Sequence, residues 1–443
     1  MWDAAKLVKI KCGMKNFIRK TLKRFLPNSL YNRFSAYLWL LPRAILAAWY
    51  YGFPARELKI IGVAGTKGKS TTCYLISQLL DVLGEKNALL STTTIKIGAE
   101  EKLSDLKMTS ADSFYLQRFL RQAVSQGCTY AVLEISSHAL KQFRTFGIQL
   151  DYAVLTNLAP DHLEYHKNAQ DYQDTHFKML SKKTAALLLN GDDENLNRFK
   201  RSKISKMTFG FNTGNDLVIR GVEMEKGNSR AVITYQGKEL ILDIPLAGKF
   251  NVYNSVAALA VALKIGKEIG KISKALAKVR PAPGRVEKLE NKLGIEIIVD
   301  YAHSPESFEN VFSAIAPYLS GRLIAVTGAC GERDASKRPI MGSILASYCD
   351  YVVITNDDPF GEDPEKIASA LIAGLQRTGK QEGKNFCKIL DRRSAIKKGL
   401  SLAHAGDTVI ILGKGSEQWQ VFKDKKIPWD DRRITREILN EIS

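Results

Sequence analysis

The sequence predicts an α/β protein: a P-loop central domain on a mainly parallel sheet, then a Rossmann-like carboxy-terminal α/β domain, with a short basic helical segment ahead of both. Three observations predict it. Leu58-Lys-Ile-Ile-Gly-Val-Ala-Gly-Thr-Lys-Gly-Lys-Ser-Thr-Thr72 reads as a buried strand, a glycine-rich turn and the start of a helix. Short apolar strands then alternate with amphipathic helices; residues 130–134 and 152–156 are strands that each end in polar residues. Residues 321–328, 351–355 and 408–412 read as the buried parallel strands of a second sheet. The boundaries follow: a basic segment over 1–57, a central domain over 58–282 and a closing domain over 283–443. The Pro281-Ala-Pro-Gly284 turn is the hinge between the last two.

A chain of 443 residues with a hydrophobic fraction of 45% has ample material for two or three cores. Its formal charge of +19 suits nucleic acid, an anionic membrane surface or anionic small substrates. No nucleic-acid module is visible, so a nucleic-acid partner is not expected. The six cysteines are scattered without a C-x-x-C pair, which fits a reducing cytoplasm and gives no disulfide framework or structural zinc site. No cleavable signal peptide is evident.

The charge is concentrated at the start. Twelve Lys or Arg precede residue 60, against only Asp3 and Glu57. The apolar run from Phe34 to Phe53 has the length of a membrane span, yet Pro42-Arg43 interrupts it and Tyr37, Trp39, Trp49, Tyr50 and Tyr51 suit a water–lipid boundary. Three readings stand: a helical pair lying on an anionic inner leaflet, helices that only pack on the catalytic domains, or a single span.

The turn at Gly65, Thr66, Lys67 and Gly68 aims backbone N–H groups and the positive end of a helix dipole at one point, where a polyphosphate binds. Lys69 adds a point charge for the terminal phosphates, and Ser70 or Thr71 offers a hydroxyl to Mg²⁺. Val63 stands where the common loop pattern has its first glycine, with Gly62 one place early. An incidental glycine turn is the alternative, outweighed by the strand-turn-helix context. Farther on, His138, His162, His166 and His176 fall close to Glu134 and Asp161 at strand ends. Lone histidines are usually structural, but this grouping favours a divalent cation. Glu134 and His162 would hold a second Mg²⁺ or Mn²⁺ beside the one on Ser70, because hard oxygens plus one imidazole suit those ions.

Gly65-Thr-x-Gly-Lys-Ser/Thr, Glu134-x-Ser-Ser-His138 and Thr156-Asn157 with Asp161-His162 together resemble the Mur ligase family, ATP-dependent ligases that add amino acids to the peptidoglycan precursor. The likeness runs from about residue 58 to the end and is nearest to the MurE type. It implies a carboxylate attacking the γ-phosphorus of ATP, then an amine displacing phosphate from the acyl phosphate. By resemblance Lys69, Glu134, His162, His176 and Arg285 carry catalysis, and Asn254, Arg285, Asp300 and His303 join the loop in holding ATP. Thr109, Ser110, Ser137 and Arg144 match positions that touch the muramoyl-peptide. Arg333, Asp357, Asp358, Gly413 and Glu417 match the domain that receives the amino acid.

Three departures shape the expectations. His176 stands where the family carries a lysine modified to a carbamate, with Lys178, two residues on, as the alternative replacement. Asp357-Asp358-Pro359 is followed by Phe360 where diaminopimelate-selecting enzymes have an arginine, and Ser416 replaces a histidine. A phenyl ring makes no bidentate carboxylate pair, and Asp358 would attract an ammonium, so lysine or another diamine is expected rather than diaminopimelate. Finally, some 57 residues precede the loop where the family has a UDP-holding domain of about a hundred, which leaves the muramoyl-peptide UDP-linked or lipid-linked. The expected location is cytoplasmic, peripheral at the inner membrane face. The alternatives are a folylpolyglutamate-type or lipid-linked-muropeptide ligase, or a membrane-docked nucleotide-binding protein that has lost catalysis.

Overall fold

The computed structural model describes residues 36–106, 110–159, 165–225 and 227–442. Thr109, Asp161 and His162 lie outside the described residues, as does most of the basic segment.

The first sheet has eleven strands in the order β11-β10-β9-β8-β7-β6-β1-β5-β2-β3-β4. Its centre is parallel. β1 (Lys59–Ala64) runs between β5 (Tyr130–Glu134) and β6 (Tyr152–Leu155), with β2 (Asn87–Leu90) beyond β5. β7 (Ala186–Asn190) and β8 (Lys206–Gly210) continue on the β6 side. Antiparallel strands close both margins: β3 (Thr94–Ile97) and β4 (Glu100–Leu103), and the meander β9 (Leu217–Glu225), β10 (Asn228–Tyr235) and β11 (Lys238–Ile244). Because β1 is covered on both faces, every residue after Lys59 is buried, and the strand reads as a continuous apolar run.

Helices form a layer on each face. α1 (Leu41–Tyr50), α2 (Lys69–Val82), α3 (Ser113–Ser125), the one-turn α4 (Ser137–Lys141) and α5 (Ala169–Phe177) come first in the chain, followed by α6 (Lys249–Lys264) and α7 (Ile269–Leu276). Leu75, Leu79, Val256, Leu259 and Ile272, from α2, α6 and α7, share one core with the sheet. Leu116, Phe119 and Tyr172, from α3 and α5, share the core on the opposite face. α6 is apolar nearly all round because α2 and the sheet enclose it.

The loop pattern is also explained. Gly62 lies inside β1, where an added Cβ would come within 2.8 Å of Leu150 and Ile135 side chains. It is a packing glycine, and Val63 is core at 0% exposure. The glycine-rich turn proper starts at Gly65.

The second sheet runs β12-β13-β17-β14-β15-β16, parallel from β13 (Glu296–Asp300) through β17 (Thr408–Leu412), β14 (Leu323–Thr327), β15 (Tyr351–Ile354) and β16 (Phe386–Lys388). The two-residue β12 (Glu287–Lys288) pairs antiparallel with β13. α8 (Pro305–Ile315), α9 (Lys337–Tyr348) and α10 (Pro364–Arg377) cover one face, and α11 (Arg392–Leu402) and α12 (Asp431–Ile442) the other. Just ahead of the Pro281–Gly284 turn, Gln78 Nε2 donates to the Arg280 carbonyl and Arg280 N–H to Gln78 Oε1, both at 2.9 Å, which ties the chain entering that turn to α2. Phe250 of α6 packs on the second-domain core.

α1 packs on α3 through Ala44, Ala47 and Ala48. Among the described residues no helix is long and apolar enough to cross a membrane.

Candidate active site

Parallel pairing sets Val63 of β1 opposite Glu134 of β5, so the loop after β1 opens beside the end of β5. Ligands of such sheets bind at these carboxyl ends. Gly65 must be glycine: at φ +141 an added Cβ would meet Thr156 Oγ1 at 2.2 Å. Gly68, at φ +82, ends the loop in the left-handed region and lies under the Asn254 carboxamide. Asn157 braces the loop. Its carbonyl accepts from Thr66 N–H at 2.8 Å and its Oδ1 from Lys67 N–H at 2.9 Å. Thr66 Oγ1 donates to the Ala159 carbonyl at 2.8 Å and lies 3.1 Å from Tyr172 Oη. Lys69 Nζ donates to the Gly65 and Thr66 carbonyls at 2.9 Å, which keeps the ammonium over the loop. The N–H groups that open α2, from Lys69 through Thr71, lack partners within the helix and form the anion-binding end.

Glu134 ties two sites together. Its Oε2 accepts from Ser70 Oγ at 3.0 Å, Thr92 N–H at 2.7 Å and Thr92 Oγ1 at 2.9 Å. Its backbone carbonyl accepts from Ser110 Oγ at 3.1 Å. Ser110 begins the second site: Ser136 Oγ lies 3.1 Å from it and Arg144 Nη1 donates to its carbonyl at 2.6 Å. Arg144 is oriented by Gln142 Oε1 and makes no ion pair among the described residues. Half-buried, its guanidinium has its pKa lowered by burial, so an anionic ligand would stabilise it.

Ser137 takes another direction. It follows the N-cap Ser136 on α4, and its hydroxyl meets His166 Nε2 at 3.0 Å, while His166 Nδ1 lies 3.5 Å from Asp171. A ladder of rings runs from there toward the loop: Tyr165 to His166 at 5.5 Å, His166 to Tyr172 at 5.0 Å, Tyr172 to His176 at 4.8 Å. His176 is fully buried, and neither ring nitrogen has a hydrogen-bond partner among the described residues. Burial first, then the charges of Lys69 and His166, push it down to about 3, so the imidazole is neutral at working pH. Lys178, two residues on, is exposed. His176 alone of the two faces the loop side.

Asn254 is placed under the phosphate loop, where its Oδ1 accepts from Thr72 Oγ1 at 3.1 Å and its Nδ2 donates to Asn251. On the second domain Arg285 lies over the Tyr301 ring at 4.5 Å, with a buried Nε that has no partner among the described residues. Asp300 accepts from Val286 and Ala302 N–H groups at 2.7 Å and supports that turn. His303 Nδ1 donates to the Tyr301 carbonyl at 2.8 Å and lies within electrostatic reach of Lys67 across the cleft.

The third cluster surrounds a lysine that the sequence argument passed over. Lys414 Nζ, at 0% exposure, lies 2.9 Å from Asp358, 2.9 Å from Glu417 and 3.4 Å from Asp357. Gly413 is required there, since at φ +113 a Cβ would come within 2.6 Å of Asp357 Oδ2. That oxygen is buried without a hydrogen-bond partner among the described residues. Burial pushes the Glu417 carboxyl up to about 7, against the pull of Lys414. Arg333 stands exposed on the adjoining loop, whose Gly331 N–H donates to the Asp358 carbonyl at 2.8 Å.

Residues 63–262 match the family model for the Mur ligase middle domain, and residues 284–415 match that for the Mur ligase, glutamate ligase domain. The UDP-N-acetylmuramoyl-L-alanyl-D-glutamate–2,6-diaminopimelate ligase of Syntrophomonas wolfei is 36% identical over 401 residues, covering 89% of this chain and 81% of its own length. The chain belongs to the Mur ligase family. It is an ATP-dependent, ADP-forming ligase that makes an amide bond between an amino acid and a muramoyl-peptide. A solved ligase of the same name superimposes with a TM-score of 0.63 at 29% identity, over 90% of this chain and 83% of that one. MurF of Thermotoga maritima, solved with ADP, shares the fold at a TM-score of 0.63 and 20% identity, over 90% of this chain and 82% of that one.

These relatives overturn one expectation. Several are named diaminopimelate ligases, against the preference for lysine or another diamine. The structure supplies the reason. Asp358 is expected to attract a substrate ammonium, yet Lys414 Nζ, at 2.9 Å, and the Val421 N–H, at 2.8 Å, already occupy it.

Thr92, Ser136, Gln142 and Lys414 were not singled out from the sequence. A hydroxyl run at 91–94 ending β2 and a lysine between Gly413 and Gly415 were the available signals.

Proposed function

We propose that this Mur ligase joins 2,6-diaminopimelate to UDP-N-acetylmuramoyl-L-alanyl-D-glutamate through an acyl phosphate, with ADP and phosphate as the other products. The observation that carries this reading is Glu134, whose carboxylate meets the phosphate-loop helix at Ser70 while its carbonyl meets Ser110 beside Arg144. One residue therefore spans the triphosphate and the muramoyl-peptide carboxylate. Lys69 and the α2 N–H groups receive the phosphates, Arg144 holds the acceptor, and Arg285 approaches from the second domain as the hinge closes. Ser70 and Glu134 are hard oxygen donors 3.0 Å apart and fit Mg²⁺ or Mn²⁺, with His162 as the expected third ligand. Bound there, the cation would offset charge on the phosphates. The relatives' names support the choice of amino acid and of a UDP-linked acceptor.

The test is phosphate release with each acceptor and amine supplied separately. Release requiring both the UDP-linked dipeptide and diaminopimelate supports the assignment. Release only with a lipid-linked dipeptide, with a folate, or with lysine in place of diaminopimelate rejects it.

Two residue-level results are expected. In His176→Phe the ring packing on Tyr172 remains but two orphaned nitrogens are removed. An unsatisfied buried polar group costs about 1–3 kcal/mol, so the melting temperature should rise while phosphate release falls. If the nitrogens serve only packing, activity will persist and His176 leaves the site. For Glu417, ionisation near pH 7 sets whether the pocket presents a carboxylate to the substrate ammonium. Below that pH the protonated acid pairs poorly, so the KM for the amino acid should rise as pH falls through about 7. Glu417→Gln should give a high KM without that step, measured by initial rates across pH.

A further inference from the structure

α1 is amphipathic the wrong way round for a helix that only covers a core. Its inward face is Ala44, Ala47 and Ala48, seated on α3. Its outward face, with the turn before it, carries Leu38, Trp39, Pro42, Ile45, Leu46, Trp49 and Tyr50, all exposed. At about 3.6 residues per turn these fall on one continuous stripe. Of the ten large apolar side chains left exposed among the described residues, six lie here, with Trp49 at 69% and Tyr50 at 68%. Scattered exposed apolar residues need no explanation, but a contiguous patch marks a binding surface.

The helix is also held firmly. Arg121 donates to the Tyr51 carbonyl from Nε and Nη2 and pairs with Glu57, while Arg43 reaches Asp112 and lies over Phe114. The stripe is therefore presented by a fixed scaffold. Directly ahead of it in the chain, residues 1–35 contribute nine Lys or Arg against the single acid Asp3.

We propose that the outward face of α1, together with the basic stretch before it, docks the enzyme on an anionic phospholipid bilayer, the helix lying in the interface plane. Indole and phenol rings favour the headgroup boundary, leucine and isoleucine enter the acyl edge, and the lysines and arginines meet lipid phosphates. Charge selects this occupant. A second copy of the chain would bring two strongly basic segments together across a two-fold axis. Nucleic acid would leave the aliphatic part of the stripe unmatched.

The test uses the full-length chain and vesicles of phosphatidylcholine, with or without phosphatidylglycerol. Binding to the anionic vesicles alone, weakened by salt and accompanied by a blue shift in tryptophan emission, is expected. Leu46→Glu with Trp49→Glu should reduce partitioning at least about tenfold, while the melting temperature and the vesicle-free ligase rate stay unchanged. A second variant, Arg19→Gln with Lys20→Gln, Lys23→Gln and Arg24→Gln, should lose the preference for anionic lipid but keep the apolar face. Four outcomes would overturn the proposal: no vesicle binding, undiminished binding by the Leu46/Trp49 variant, a solution dimer that this variant dissociates, or oligonucleotide binding that displaces the vesicles. Because the ligase rate is read separately, failure here leaves the enzymatic assignment standing.

Discussion

Lys69→Ala is expected to lower the rate of ADP release by on the order of 10³-fold with little change in thermal stability. The ammonium sits over the loop on the Gly65 and Thr66 carbonyls, at the point where the α2 N–H groups converge. Charge passes to the terminal phosphates during transfer, and a preorganised cation acts most strongly where charge develops. Those carbonyls can turn to water when the ammonium is removed, so the fold loses little. Lys69→Arg should not restore the rate, since a planar guanidinium does not fit the place of a compact ammonium. Single-turnover phosphate release and a melting curve on the same samples check both halves. A rate within tenfold of the parent would remove the loop from the reaction.

Glu134→Gln should cost on the order of 10²-fold or more in turnover and raise the Mg²⁺ concentration needed for half-maximal rate. The amide keeps the volume and can still accept from Thr92, but it removes the negative charge beside Ser70. Titration of activity with Mg²⁺ and Mn²⁺ separates this from a packing defect, because excess cation should recover part of the loss. An unchanged cation requirement would remove Glu134 from the proposed cation site.

The central part of the site was legible in the sequence because its chemistry is local. A buried strand, a turn that only glycine can make and a helix N-terminus are contiguous, and their order alone predicts an anion site. The short apolar runs 130–134 and 152–156 read as strands, and the structure has them as β5 and β6, the second ending at Leu155, on either side of β1. Ser137 was less accessible. In Ser136-Ser137 the two hydroxyls leave a one-turn helix in different directions, and only the packing of α4 shows that Ser136 faces Ser110 while Ser137 faces His166. The membrane question divided similarly. Composition showed a basic, aromatic segment, but the contact with α3 settled which side of α1 is covered.

From the sequence alone, short-range backbone chemistry thus determined the α/β class and the glycine-rich turn into a helix, and the ordered motifs carried the family resemblance. Tertiary structure alone decided the charge balance around Asp358, the neutrality of His176 and the direction of the α1 apolar stripe. Each of those depends on groups far away along the chain: Lys414 lies 56 residues from Asp358, and His176 is discharged by burial beside Lys69. Pairing and desolvation act through space, so a residue's charge state and partners follow from the packing, not from its neighbours in sequence.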